Sequence, residues 1–224
     1  MADHCCAPPP LELDPHRGNN AYRRVLWAAL AINGAMFLVE IGAGLAAGSA
    51  SLQADALDFL GDAANYSISL FVVGMALRYR ATAAMFKGLT MGVFGLWIIA
   101  TVIWHAVHGT LPSAATMGAV GVAALIANGV SFGLLWAHRG GDANMRSAWI
   151  CTRNDVLGNL AVLLAAIGVF GTGTGWPDII VAAIMATLAL QGSATVARQA
   201  LAELRRGRTL KCAREPEPHA DLQT

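Results

Sequence analysis

Four side chains that can bind a cation lie at helical spacing inside two of the most apolar stretches of the sequence. They are Asp58 and Asp62 in "ALDFLGD", and Cys151 and Asp155 in "ICTRND". Within each pair the residues are four apart, which places them on one face of a helix. A carboxylate at the centre of a bilayer costs about 2.5–3.5 kcal/mol on insertion scales, so such residues usually line a cavity or a pathway.

If the two helices face each other, three carboxylates and a thiol converge near the middle of the membrane. Such a set of three oxygens and one sulfur suits zinc, whereas the thiolate disfavours magnesium and calcium. The alternative interpretation is that each carboxyl group only forms hydrogen bonds between helices. Cys151 taken alone is more typical of a small buried hydrophobe. Asp55, on the same face as Asp58, is either a further ligand or a group with a structural or entry role near the outer face.

The composition indicates a membrane protein. Of the 224 residues, 56% are hydrophobic and only 13% charged, and the mean hydropathy is +0.53, whereas soluble domains carry about 25% charged residues. The net charge of +1 gives no reason to expect nucleic acid as a partner. The four cysteines form no disulfide framework. The polar, proline-rich N-terminus does not have the pattern of a cleavable signal peptide.

The hydropathy pattern predicts an all-α integral membrane protein, a bundle of six transmembrane helices in a lipid bilayer. The expected spans are 25–46, 51–77, 87–108, 114–137, 147–170 and 177–200. The connections after spans one, three and five contain no Lys or Arg, whereas the connections after spans two and four and the segments before span one and after span six do, so both termini are expected in the cytoplasm. The predicted divisions are an N-terminal tail (1–21), a transporter domain (22–204) and a disordered C-terminal tail (205–224).

The remaining polar residues of the spans have simpler interpretations. Four are interpreted as packing or helix-end groups: Asn33, Glu40, Asn128 and Asp178. Among these four, Glu40 is the one to test for proton handling. His105 and His108, at the outer end of span three, are either a hydrated helix end or a place where metal leaves. The N-terminal cluster Asp3, His4, Cys5 and Cys6 is either a collector of soft metal or incidental.

With these motifs the sequence resembles the cation diffusion facilitator family. "GSASLQADALDFLGD" resembles the family's span-two signature, in which His or Asp is followed four residues later by Asp; Asp58 and Asp62 occupy those positions. "SAWICTRNDVLGNLAVLLAA" resembles the span-five signature, with Cys151 in place of the usual His and Asp155 on the Asp. The resemblance covers approximately residues 22–204. It implies six spans, a tetrahedral site shared by spans two and five, and export of a divalent metal against inward proton flow.

Family members usually carry a cytoplasmic metal-binding domain after span six that supports dimerisation. Only a short tail follows span six in this sequence, so the sequence does not decide whether the protein forms a homodimer.

The sequence therefore predicts a secondary transporter, not an enzyme, that exports zinc, and also cadmium or cobalt, in exchange for protons. No prosthetic group is expected, and the cell membrane, of the bacterial inner-membrane type, is the expected location. One rival hypothesis is an intramembrane metalloenzyme. The absence of an H-E-x-x-H motif from the sequence argues against it. The other is a non-transporting membrane subunit whose carboxyl groups bind neighbouring helices.

Overall fold

The structure, a computed structural model, describes residues 20–72, 77–136 and 143–212. Over these ranges the chain forms a bundle of six α-helices, which confirms the predicted fold class. The helices are α1 (Asn20–Ala47), α2 (Ala50–Ser67), α3 (Leu77–His108), α4 (Ala114–Trp136), α5 (Ala143–Thr172) and α6 (Trp176–Cys212). A π-helical turn, Ile68–Val72, continues α2.

Five of the described helices are long and apolar enough to cross a membrane: α1, α3, α4, α5 and α6. Their outward surfaces carry large apolar side chains such as Phe86, Val107 and Phe170, which are 72%, 74% and 84% exposed. Such a surface suits lipid rather than water. The helix in predicted span two, α2, is less apolar because three aspartates lie within its 18 residues.

Helix α2 lies at the centre of the bundle and packs against α1, α3, α5 and α6. Every residue from Ala50 to Leu57 is buried. One apolar core joins Leu57 to Ile98 of α3 and Ala182 of α6. A second joins Leu52 to Val162 and neighbouring residues of α5. The polar residues of α2 therefore face other helices, so none of them has to be exposed to lipid.

The connections α1–α2, α3–α4 and α5–α6 meet at one end of the bundle. This end is called the uncharged end, because the connections carry no charged side chain; they are residues 48–49, 109–113 and 173–175. The amide of Ser113 donates to the carbonyl of Ala47 across this end, at 3.1 Å. Each arriving helix stops at a glycine with positive φ, which is the usual left-handed helix end; these are Gly48, Gly109 and Gly173. The opposite end, where α1 begins and α6 ends, is called the basic end.

Several helices extend beyond the predicted spans. Helix α3 begins at Leu77 rather than at residue 87, because amphipathic turns precede its apolar run. Lys87, the first residue of the expected span three, therefore lies ten residues inside α3 and is buried. Helix α6 continues to Cys212, into the segment expected to be disordered. Residues 1–19 and 213–224 lie outside the described part of the chain.

Candidate metal site

The start of α2 is fixed by a carboxylate from α6. Ser49 is the N-cap, and its hydroxyl accepts from the amide of Leu52. The same hydroxyl donates to Asp178 Oδ1 at 2.7 Å, and the amides of Ala50 and Ser51 donate to the two Asp178 oxygens at 2.8 and 3.0 Å. These bonds satisfy amides that a helix start otherwise leaves unpaired. They fix the position of the polar face of α2, and Asp178 is a helix-end group, as predicted.

Two predicted ligands from different helices are neighbours at the α2–α5 interface. The carboxyl groups of Asp62 and Asp155 interact directly with each other. The Tyr66 hydroxyl also donates to Asp62 Oδ2 at 3.0 Å, whereas Asp155 Oδ2 is buried without a hydrogen-bond partner in the protein. The side-chain amide of Asn159 donates to the Asp155 carbonyl at 2.7 Å. The helix faces that carry the predicted ligands Asp62 and Asp155 therefore meet at this point.

A glycine on α5 lets the other two aspartates approach. A Cβ at Gly158 would lie 3.6 Å from Asp55 Oδ1, 3.6 Å from Asp58 Oδ2 and 3.5 Å from the Met185 methyl group. Both carboxyl groups therefore point at the same patch of α5, about one turn along the helix from Asp155. Asp58 is the most open of the three α2 aspartates, being only partly buried.

Glu40 of α1 adds a further carboxyl group to this cluster. It is fully buried, and it neighbours the Asp55 carboxyl group across the α1–α2 interface. Neither Glu40 oxygen has a partner at hydrogen-bonding geometry, and neither does Asp55 Oδ2. Unpaired buried oxygens are uncommon in native proteins and indicate either strain or a site for a bound ion or proton.

A buried lysine lies next to the polar face of α2 beyond Asp62, at the end farther from Asp55. Lys87 Nζ donates to Asn65 Oδ1, and its positive charge acts on Asp62. No role was predicted for Lys87 from the sequence, because it stands at the first position of the expected span three, where a cation is typical of the cytoplasmic end of a span.

Of the four predicted ligands, the structure brings Asp58, Asp62 and Asp155 to one interface, while the side chain of Cys151 lies outside the described residues. Within the part of the chain that the structure describes, no three His, Cys, Asp or Glu side chains are close enough to hold one metal ion together. The aspartates interact with one another, with Tyr66 and with α5.

The two histidines of α3 are apart from this cluster. His105 is buried, has an unpartnered Nδ1 and lines a cavity of about 240 Å³ at the uncharged end. His108 is exposed and stacks on Trp104, with ring centroids 3.8 Å apart.

The fold and the site define a multi-pass membrane protein with carboxyl groups concentrated between its central helix and α5. Residues 26–205 match the model of the cation efflux transmembrane domain, and the chain belongs to that family of metal transporters, known as cation diffusion facilitators. Members of the family are transporters and not enzymes.

Several characterised relatives are similar over most of the chain. The zinc transporter ZitB of Escherichia coli (strain K12) is 30% identical over 204 residues, which cover 84% of this chain and 64% of that protein. A cadmium, cobalt and zinc/H(+)-K(+) antiporter of Bacillus velezensis is 27% identical over 86% of this chain and 66% of its own length. The metal cation efflux system protein CzcD of Cupriavidus metallidurans is 26% identical over 76% of this chain and 57% of its own length. The chain thus spans less than two thirds of these relatives.

Proposed function

We propose that this protein exports zinc or a similar divalent transition-metal ion from the cytoplasm in exchange for protons. The observation that carries the proposal is the contact between Asp62 of α2 and Asp155 of α5, with Asp58 directed at the same helix. Relatives named as zinc, cadmium and cobalt transporters support this choice of cargo.

The proposed ligands are Asp58, Asp62, Cys151 and Asp155. Cys151 precedes Asp155 by four residues in the same helix, so both backbone positions lie on one face of α5. A tetrahedral ion requires the carboxyl groups of α2 and α5 to separate enough to admit it between them. We expect this separation at the α2–α5 interface, where the two polar faces meet.

Transport then follows from opening this interface alternately toward each side of the membrane. Metal from the cytoplasm binds the deprotonated ligands, and the bundle rocks so that the site opens outward. Protons and metal compete for the same oxygen and sulfur atoms, so proton uptake releases the ion. The protonated protein then returns and delivers its protons to the cytoplasm.

The direct test is the single change Asp155→Asn, which removes a charge from the interface and keeps the side-chain volume. Initial zinc uptake by proteoliposomes is expected to fall to the level of empty liposomes. Glu203→Gln, the same chemical change at the basic end of α6, is the control and is expected to transport normally. Normal uptake by purified, monodisperse Asp155→Asn would contradict the proposal.

A further inference from the structure

Glu40 and Asp55 form a carboxyl pair that the four proposed ligands do not include. We propose that this pair is a second position for the transported divalent cation, between the four-ligand site and the uncharged end of the bundle. The inference rests on the proposed function, since it takes the same ion as its ligand.

The burial of the pair is the first argument. Glu40 is fully buried and Asp55 is 1% exposed, yet three of their four carboxyl oxygens accept no hydrogen bond from a donor in the described part of the chain, and the two carboxyl groups interact with each other. Carboxyl groups inside a membrane protein are costly and normally have partners. A purely structural role would use these oxygens to hold neighbouring helices, as Asp178 does with three hydrogen bonds. The Glu40–Asp55 pair has that cost, but its carboxyl groups face each other instead of donors on the neighbouring helices.

The location of the pair is the second argument. Along α2, Asp55 lies nearest the uncharged end, followed by Asp58 and then Asp62, over a distance of about 10 Å at 1.5 Å per residue. Asp58 interacts with Asp55 on one side and with Asp62 on the other. Asp55 and Asp58 also share the patch of α5 at Gly158. An ion released from Asp62 and Asp155 toward the uncharged end therefore passes Asp58 and meets the pair.

The chemistry of the pair fits a place that an ion occupies briefly. Two carboxylates supply hard oxygen ligands only, and water completes the coordination of the ion. Such a set binds zinc more weakly than one that includes a thiolate. Conduction through successive positions requires binding that is favourable enough for the ion to arrive and weak enough for it to leave. Negative charge on the pair also attracts the ion away from the deeper site.

Zinc binding at equilibrium tests whether the second position exists. The chain is purified in lipid nanodiscs with Cys5→Ser and Cys6→Ser, so that the tail thiols bind no metal, and bound ⁶⁵Zn is counted after dialysis at pH 8. Glu40→Gln and Asp55→Asn are each expected to bind one zinc ion fewer than the parent chain. Asp155→Asn is expected to lose the other, tighter ion, and Glu203→Gln to lose none.

The outcomes separate the two proposals. If Glu40→Gln and Asp55→Asn both retain the full number of ions, the second position does not exist, whatever Asp155→Asn shows. If Asp155→Asn retains all of its zinc, the proposed four-ligand site fails instead. Transport gives an independent check, since an exit position predicts about a tenfold lower turnover in Glu40→Gln with the KM for cytoplasmic zinc unchanged. An unaltered turnover would overturn the role in transport.

Discussion

At the scale of single residues, the cluster between α1, α2 and α5 contains acidic side chains that lie next to one another, and the nearby Lys87 donates to Asn65 while its charge acts on Asp62. Asp62 interacts with Asp155, and Glu40 neighbours Asp55. Neighbouring buried carboxyl groups cannot all stay ionised without a cation, because their negative charges repel one another. A divalent ion relieves this repulsion, and protons relieve it in its absence. The same residues therefore provide both halves of an exchange reaction.

The choice among metals is expected to depend on Cys151, because the three aspartates are hard ligands that discriminate poorly among divalent cations. Cys151→Asp gives an all-oxygen set and should favour manganese over zinc and cadmium. Cys151→His should keep zinc transport. The measurement is competition between metals during uptake by reconstituted variants, with Cys151→Ser as a third member of the series. An unchanged order of metals in all three would remove Cys151 from the site.

Substitutions at Gly158 test whether metal binds at the interface between α2 and α5. A methyl group there makes only ordinary contacts of 3.5–3.6 Å, so Gly158→Ala should retain zinc binding. The branched side chain of Gly158→Val fills the space in front of Asp55 and Asp58 and should weaken zinc binding at least tenfold, or about 1.4 kcal/mol.

Titration calorimetry of the purified variants measures this effect. Gly129→Val is the matched control, because a Cβ at Gly129 meets nothing within 4 Å. Zinc affinity of Gly158→Val equal to that of the wild-type protein would show that the ion binds elsewhere.

At the scale of secondary-structure elements, the position of α2 depends on its contacts with α6 at the uncharged end. Asp178 accepts three hydrogen bonds from the first residues of α2. Helices α3 and α6 pack closely through small residues, and the Ser193 hydroxyl donates to the Gly88 carbonyl at 2.7 Å. Close approach of this kind is typical of helix pairs in membranes. We infer that α2, α3 and α6 move together, and that the opening occurs where α2 meets α5.

Asp178→Ala should destabilise the protein by about 3 kcal/mol, because it leaves buried donors at the start of α2 without an acceptor. For a chain of this size that corresponds to a decrease in Tm of roughly 6–12 °C. Thermal unfolding in detergent measures the change.

Ser113→Ala is the control for this effect. Ser113 is an exposed residue just before α4 at the same end of the bundle, and its hydroxyl accepts from the amide of Thr116 at 3.4 Å. Its loss should cost only about 0.5–1 kcal/mol. Equal Tm values for the two variants would mean that Asp178 does not hold α2.

The sequence predicted the helices and the helix faces that carry the polar residues, because hydropathy and helical period are local properties. It placed Asp58, Asp62 and Asp155 on surfaces that do meet. It did not predict that Glu40 neighbours Asp55 or that Lys87 bonds to Asn65. Those contacts depend on the rotation of α1 and α3 about their own axes, which the packing of the whole bundle determines. The extent of α3 and α6 was underestimated because amphipathic turns continue both helices past their apolar runs.

At the scale of the whole molecule, the described helices enclose a charged centre within an apolar exterior. The uncharged end is tightly connected, since a side chain at Gly175 would collide with the Thr110 carbonyl. The acidic row of α2 runs from near this end toward the basic end and is followed, inside the bundle, by Asn65 and its partner Lys87. Such an arrangement gives a cation a polar route across the bundle only if the helices separate along that row.

The exchange of zinc for protons is the central claim, and zinc uptake by everted membrane vesicles tests it most directly. In everted vesicles the cytoplasmic face is outside and export appears as uptake. With the interior made acidic, the wild-type chain should accumulate ⁶⁵Zn, and an ionophore that collapses the pH gradient should abolish the accumulation. Asp155→Asn should give background uptake under both conditions. Zinc accumulation that is the same with and without the gradient would contradict proton exchange, and accumulation by Asp155→Asn would contradict the site.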